Sequence, residues 1–407
     1  MHDVVSILEG YTSDLENIYL HLHRNPELSM QEGDTARFIG AHLEEYGFEV
    51  AKIGGGIVGI LSNGSGPSVL YRADMDGLPV KEESGLPYAS DIMRKNREGN
   101  SVPAMHACGH DFHMTAGLGV ARFLSEHTNV WSGTYVALFQ PGEETAEGAK
   151  AMVADGLVEY VLERTEQGRL DVALSQHVLT VPCAGHVGTA AGPVLSTAAS
   201  VRIVLNGRGS HGSMPHLGVD PVVLASSIVM RLQGIVSREI APSEFGVVTV
   251  GALHSGTAAN VIPSSAELLL NVRAYSNETR AQIIAAIERI VKAECEASRA
   301  HDPVIEIYDE FPLTNNDPGV EATIREAFVA AFGEHRVEHL DPITASEDFS
   351  TIPDAFGSPY CYWGLGGFAE GDEVYPNHNP HFAPTLHPTL ETGAAAATVA
   401  ALAYLGK

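Results

Sequence analysis

The chain has 407 residues, 44% hydrophobic and 18% charged, which excludes a mostly disordered polypeptide and leaves length for two or three folding units. Acidic residues outnumber basic ones 51 to 24, and the resulting charge of -27 argues against nucleic acid as a partner, because phosphate backbones repel such a surface. Four cysteines (Cys108, Cys183, Cys295 and Cys361) are too few for a disulfide framework, no leader-like segment opens the sequence, and the alanine-rich run 393–406 is too short to span a bilayer. The expectation is a cytoplasmic protein with no membrane partner.

Residues 3–22 predict a helix that stops near Arg24-Asn25-Pro26, since the residue before proline is pushed out of the helical region. Gly54-Gly55-Gly56 lacks the spacing of a dinucleotide fingerprint and reads as a turn. Short apolar or β-branched runs at Val69–Tyr71, Thr134–Phe139 and Val172–Leu174 predict buried strands. Helical stretches separate them, around 112–126 and 146–155, the second closed by Asp155-Gly156. Alternation of this kind predicts an α/β fold with an open, mixed-to-parallel sheet.

The pattern changes after about residue 187. Strand Val201–Leu205, helix 220–239, strands Val247–Leu253 and Glu267–Tyr275, helix 278–299 and strand Val304–Tyr308 spell βαββαβ, a ferredoxin-like α+β domain. From about 310 the mixed α/β pattern returns. The expected organisation is an α/β domain in two segments, 1–186 and 310–407, with an inserted α+β domain at 187–309.

Polar clusters follow the predicted strands of the α/β domain: Asp74-Met75-Asp76-Gly77 after Tyr71, Pro141-Gly142-Glu143-Glu144 after Phe139, and His177 after Leu174. Open α/β sheets bind ligands at the carboxyl ends of their strands, so the three can share one crevice. Cys108 and His110, with glycine between them, can turn a thiolate and an imidazole toward one centre, a donor pair that suits zinc or a similar first-row metal. Cys-Gly-His alone is a weak signal. Three histidines and a cysteine within 106–113, together with the paired acids, strengthen it. Adjacent glutamates fit a metal centre if one ligates while the other takes a proton from activated water. They also fit an exposed helix start, and Asp74 and Asp76 also fit a turn before Gly77 and Pro79.

Taken in order, the motifs resemble the M20 metallopeptidase family in its amidohydrolase branch, which includes hippurate hydrolases, N-acyl-amino-acid amidohydrolases and auxin-conjugate hydrolases. The residues that carry the resemblance are His23-Arg24-Asn25-Pro26-Glu27-Leu28-Ser29, Arg72 to Pro79, Met105 to His113, Glu143-Glu144, Gly209-Ser210-His211, Asn260-Val261-Ile262-Pro263, Ser346-Glu347-Asp348-Phe349 and Asn377-His378-Asn379-Pro380. The resemblance implies two divalent ions (Zn, Mn, Co or Ni) bridged by Cys108, with Glu144 and His378 completing one position and His110 and His177 the other. It implies Glu143 as general base and Asp76 as the group that orients a ligand. His211 would steady the oxyanion, often in the partner subunit's site, and Asn260 and Arg273 would hold the substrate's polar end. The α/β domain would be catalytic, and the inserted domain would serve as a lid and join two chains into a homodimer.

The implied substrate is a small N-acyl amino acid, cleaved to a carboxylate and a free amino acid. A dipeptidase using the same groups is the alternative; a metal-dependent binding protein without turnover is a third reading, which the presence of Glu143 disfavours. Three positions depart from the family pattern. Gly142 stands where alanine is commoner, Phe112 replaces a usual glycine, and Arg273 lies in Asn271-Val272-Arg273 rather than after glycine-threonine. His21, His23, His113, His216 and His381 are expected in structural or supporting roles.

Overall fold

In the computed structural model, which describes residues 2–407 and side chains from Val4 onward, the chain divides into two units. The first comprises the chain up to Val194 with Asn315–Asp341 and Asp348–Lys407; the second comprises Leu195–Thr314 and Pro342–Glu347.

The first unit is built on an eight-stranded sheet. Its order is Glu49–Ile53, Gly56–Asn63, Gly133–Gln140, Ser68–Asp74, Val172–Cys183, Tyr360–Phe368, Val187–Thr189 and Val337–His339. The four central strands pair in parallel, while Glu49–Ile53 and Gly56–Asn63 add an antiparallel edge. Gly133–Gln140, Ser68–Asp74 and Tyr360–Phe368 are buried at every position, as expected of parallel strands covered on both faces. Helices His110–Glu126 and Leu386–Leu405 pack together against this sheet and bury long alanine- and glycine-rich faces. Small side chains let these helices approach the sheet closely; a Cβ on Gly117 would come within 3.0 Å of the Phe139 ring.

The second unit is a four-stranded antiparallel sheet in the order Gly246–Ser255, Ser265–Ala274, Thr197–Asn206, Val304–Phe311, with helices Pro221–Arg238 and Asn277–Ala297. In sequence numbers that order is 2-3-1-4, the split-βαβ arrangement. Ser265–Ala274 alternates buried and half-buried residues, so one face packs on the helices through Leu268, Leu270 and Val272. Both helices start on side-chain caps, Asp220 accepting from Val222 and Val223, and Ser276 from Thr279.

Several expected boundaries move. The helix expected over 3–22 is two helices, His2–Glu9 and Thr12–Arg24, broken where Gly10 and Tyr11 close tight turns onto Ile7 and Leu8. Tyr11 is buried there, with its hydroxyl on Glu126 and the Arg122 guanidinium 4.0 Å over its ring, so long-range packing overrides a helical period that runs through the break. His177 lies inside the strand Val172–Cys183 rather than after its end. Residues 187–194 fall with the first unit, because Val187–Thr189 pairs with Tyr360–Phe368 and Val337–His339 in the large sheet. The second unit runs on to Thr314 and takes back Pro342–Glu347, a return that lies beyond the expected 309/310 boundary.

Candidate metal centre

Three neighbouring strands of the first unit bring the polar clusters to one end of the sheet. Ser68–Asp74 ends on Asp74, with Asp76 in the turn that follows. Gly133–Gln140 runs into Pro141-Gly142 and then a single 3-10 turn, Glu143–Thr145. Cys108 precedes the helix His110–Glu126, and the residue between must be glycine: Gly109 has φ +80°, and a Cβ there would lie 2.2 Å from Val178 Cγ1. His378 sits in a loop whose backbone N–H donates to Ala107 O at 2.7 Å, which fastens it beside Cys108.

Hydrogen bonds determine which imidazole nitrogen faces the cluster. His110 Nδ1 lies 2.8 Å from Asp76 O, a carbonyl that only accepts, so Nδ1 carries the proton and Nε2 offers a lone pair. His177 Nδ1 lies 2.8 Å from Val178 O by the same logic, leaving Nε2 3.4 Å from Cys108 Sγ. His113 behaves differently. Its Nδ1 meets Asp74 Oδ1 at 2.6 Å while its Nε2 accepts from the Val178 N–H at 2.8 Å. Both of its nitrogens are committed, so its ring, although within 4.8 Å of Asp74, His110 and His177 ligand atoms, has no lone pair to spare.

Cys108, His110 and Glu144 present Sγ, a ring nitrogen and a carboxylate oxygen within 4.8 Å of one another, a set that could hold a metal ion. His110 Nε2 is buried without a hydrogen bond and stands 4.0 Å from both Glu144 Oε1 and Glu143 Oε2. Two donors on one tetrahedral ion at ordinary bond lengths are about 3.4 Å apart, so a small closure completes the geometry. Glu144 Oε1 is also buried, 3.2 Å from His378 Nε2. The neighbouring Cys108 and Glu144 push His378 up to about 10. Burial moves His177 the other way, well below its usual range, which keeps its imidazole neutral and able to ligate. A thiolate, three imidazoles and a carboxylate suit zinc and its first-row neighbours, and the residues fit such ions.

Around this set lies a buried polar frame. Asp76 Oδ2 accepts from Ser29 Oγ at 2.7 Å and from the Glu144 N–H at 3.1 Å, while Oδ1 lies 3.2 Å from His110 Nδ1. Burial opposes ionisation of Asp76, but His110 and Ser29 outweigh it and hold the carboxyl below its usual range. Arg72, fully buried, reaches Asp74 at 2.7 Å and Asp348 at 3.2 Å, and Asp348 also receives Gln140 Nε2 at 2.6 Å. Asn377 Nδ2 lies 3.6 Å from Cys108 Sγ. His23 is held between Asp111 at 2.7 Å and Glu82 at 3.2 Å, a supporting position of the kind expected for it.

The remaining expected site residues belong to the second unit. His211 is exposed on a short ribbon, Ser210–His211 against Val261–Ile262, with Nδ1 2.7 Å from Ser213 Oγ. Asn260 adjoins it, its carbonyl accepting from the Gly212 N–H at 2.8 Å. The ribbon lines a cleft of about 570 Å³ with Gly256, Thr257 and Pro263. Arg273 lies on Ser265–Ala274, where it donates to Asn271 Oδ1 at 2.9 Å and to Ser346.

Sequence reasoning assigned no role to Ser29, Glu32, Arg72, Asp348 or Asn377. Four of these lie in or beside the quoted motifs, and the available signal was that each motif contains more polar residues than the ligand set uses.

Residues 70–403 match the family model described as peptidase family M20/M25/M40. The hippurate hydrolase of Campylobacter jejuni is 37% identical over 356 residues, covering 86% of this chain and 87% of that protein. The N-acetyl-L-cysteine deacetylase of Bacillus subtilis is 31% identical over 380 residues, covering 92% and 84%. Among solved structures, the Bacillus subtilis YXEP protein, described as a dinuclear metal binding peptidase from the M20 family, superposes with a TM-score of 0.78 at 26% identity over 97% of this chain and 98% of that one. The chain belongs to peptidase family M20/M25/M40 and is a metal-dependent hydrolase of linear amides.

Proposed function

We propose that the protein hydrolyses the amide bond of small N-acyl amino acids, releasing a carboxylate and a free amino acid, with two divalent ions held by Cys108, His110, Glu144, His177 and His378. The observation that carries this reading is the set of Cys108, His110 and half-buried Glu144, with His177 3.4 Å from Cys108, His378 3.2 Å from Glu144 and Glu143 4.0 Å from His110 Nε2. Cys108 Sγ lies 3.4 Å from His177 Nε2 and within 4.8 Å of ligand atoms of His110 and Glu144, so it would take part in holding the ions. Divalent ions held by these residues would polarise the amide carbonyl and lower the pKa of a water.

Glu143 would take a proton from the attacking water and deliver it to the leaving amine, a transfer favoured by a carboxylate that is buried and close to the donor set. Asp76 fixes the His110 ring and the Glu144 backbone, so that ligand and base keep their relative positions. His211 steadies the oxyanion, and Asn260 and Arg273 bind the substrate's carboxylate, Arg273 with the planar fork such a group requires. The names of the two relatives, a hippurate hydrolase and an N-acetyl-L-cysteine deacetylase, both describe N-acyl amino acids and favour this substrate class.

The reading includes a homodimer formed through the second unit, where Val223 and Met230 of Pro221–Arg238 and Leu253 of the edge strand Gly246–Ser255 are exposed apolar side chains. It also places the enzyme in the cytoplasm, where a metal-binding thiolate stays reduced; among the described residues no helix is long and apolar enough to cross a membrane. Amine release from N-acetyl, N-benzoyl and longer N-acyl amino acids, alongside dipeptides and with or without chelator, tests the reaction. Chelator-sensitive release from the acyl set is the expected result. Release from dipeptides alone makes the protein a dipeptidase, and silence across the panel with metal bound removes the hydrolytic reading.

A further inference from the structure

The turn that carries Glu143 is gripped from both sides by carboxylates that belong to other segments. On the near side, Glu32 Oε1 accepts from the Gly142 N–H at 2.7 Å and from the Met30 N–H at 2.9 Å, tying two turns to one oxygen. On the far side, Asp76 Oδ2 accepts from the Glu144 N–H at 3.1 Å, and Ser29 Oγ donates to the same Asp76 oxygen at 2.7 Å. Ser29 and Glu32 thus reach both flanks of Glu143 from a single short segment.

The grip meets backbone that has little stability of its own. Gly142 (φ +55°) and Ala146 (φ +53°) are both left-handed, and the turn between them is one 3-10 turn with no side-chain cap. Met30 is left-handed too (φ +62°), and its thioether fills the space beside Gly142, where a Cβ would lie 2.5 Å from Met30 Sδ. Glu32 itself is buried at 4% exposure and spends one oxygen on the two amides. Burial and then the nearby Asp76 carboxylate raise the Glu32 pKa to about 8, and the backbone N–H groups recover only part of that cost.

We infer that Glu32, supported by Ser29, is a positioning residue that sets the orientation of Glu143 by clamping the Gly142 amide. The inference rests on the proposed role of Glu143 as base and adds to it a residue that touches neither substrate nor ion. Proton transfer depends steeply on geometry, and a displacement of about 1 Å costs on the order of a hundredfold in rate. Removing the clamp therefore acts on kcat, while the Cys108, His110 and His177 donors hang on other hydrogen bonds and Glu144 keeps the bond from its own N–H to Asp76.

The test compares Glu32→Ala, Glu32→Gln and Glu32→Asp in the metal-loaded enzyme, with hydrogen exchange on the peptide spanning 138–148 measured in parallel on metal-free protein. Glutamine retains the accepting oxygen, alanine removes it, and aspartate withdraws it by one methylene. Expected are a fall in kcat of about 10- to 100-fold for Glu32→Ala with KM and metal content nearly unchanged, faster exchange in 138–148, and recovery of most of both in Glu32→Gln. Wild-type kcat in Glu32→Ala overturns the inference, and so does a Glu32→Gln variant as impaired as Glu32→Ala. Should Glu32→Ala fail to fold, the remaining pair decides: Glu32→Asp slow and Glu32→Gln near wild type supports the clamp, and equal rates overturn it. Wild-type enzyme inert toward amides is a different failure, that of the proposed function, and the exchange comparison still reads the clamp.

Discussion

The two units use burial in opposite ways. In the second, the shielded interior is aliphatic: Ile203, Leu224, Leu268, Val272 and Ile287 fill the space between a one-sided sheet and two helices. In the first, the end of the sheet that carries Asp74, Asp76, Glu143 and His177 is as inaccessible as that core, yet it is lined with charge. Among the described residues, the buried charged side chains lie in the first unit, apart from Glu347 at the edge of the second. A polar interior is expensive unless each group finds a partner or an ion, so the contrast separates a region built for stability from one built to hold cations and move protons.

Four substitutions break or sharpen that contrast. The largest effect is expected from Cys108→Ala, which removes the thiolate proposed to bridge the ions and should strip both of them, read as metal per chain after dialysis; full occupancy would exclude a bridging role. Next is Glu143→Ala, for which kcat should drop by about 10²- to 10⁴-fold with metal content unchanged, whereas lost metal would make Glu143 a ligand. In the second unit, Leu268→Ala deletes a fully buried side chain and should cost about 2–5 kcal/mol in chemical denaturation while leaving metal content intact. Metal loss on that change would mean that the two interiors are not separable.

The smallest effect concerns pH. Burial alone would lower the His23 pKa, but its hydrogen bonds to the Asp111 and Glu82 carboxylates outweigh it and raise it to about 9. A histidine raised in the folded state stabilises fully below its unfolded value, about 6.5, and that contribution fades as pH rises through 9. Wild-type melting temperature should therefore fall from pH 6 to pH 10 more steeply than that of His23→Gln. Parallel profiles would show that the pair with Asp111 and Glu82 is not ionic.

Part of the donor set was legible because it is local, whereas His177 and His378 entered it only through the family resemblance. Cys108-Gly109-His110 and Glu143-Glu144 announce themselves within a few residues, and the strands before them are apolar enough to locate the clusters at one sheet end. The clamp was not legible, since Glu32 and Gly142 are 110 residues apart and nothing in either stretch names the other. The resemblance set His110 apart from His113, but the physical reason for the difference was not legible. Both stand on the first turn of one helix, and only their partners, Asp76 O for one and Asp74 with the Val178 amide for the other, free a nitrogen in the first and occupy both in the second. The break at Gly10-Tyr11 was hidden for a related reason: helical periodicity reports the apolar face, and a buried contact with Glu126 and Arg122 lies outside any local window.

Local chemistry in the sequence by itself determined the alternation of strand and helix, the βαββαβ order of the second unit and two of the polar clusters, Cys108-Gly109-His110 and Glu143-Glu144, while the full donor set rested on the resemblance of the motifs to a family. Hydrophobic period, turn residues and donor type act over a few positions and survive without the fold. Tertiary structure alone decided which lone pairs point inward, which carboxylates brace the backbone of the Glu143 turn, and that the Val187–Thr189 strand belongs to the large sheet. Those outcomes depend on hydrogen bonds between segments far apart in the chain, and an angle at one atom is set by whichever distant group the fold delivers to it.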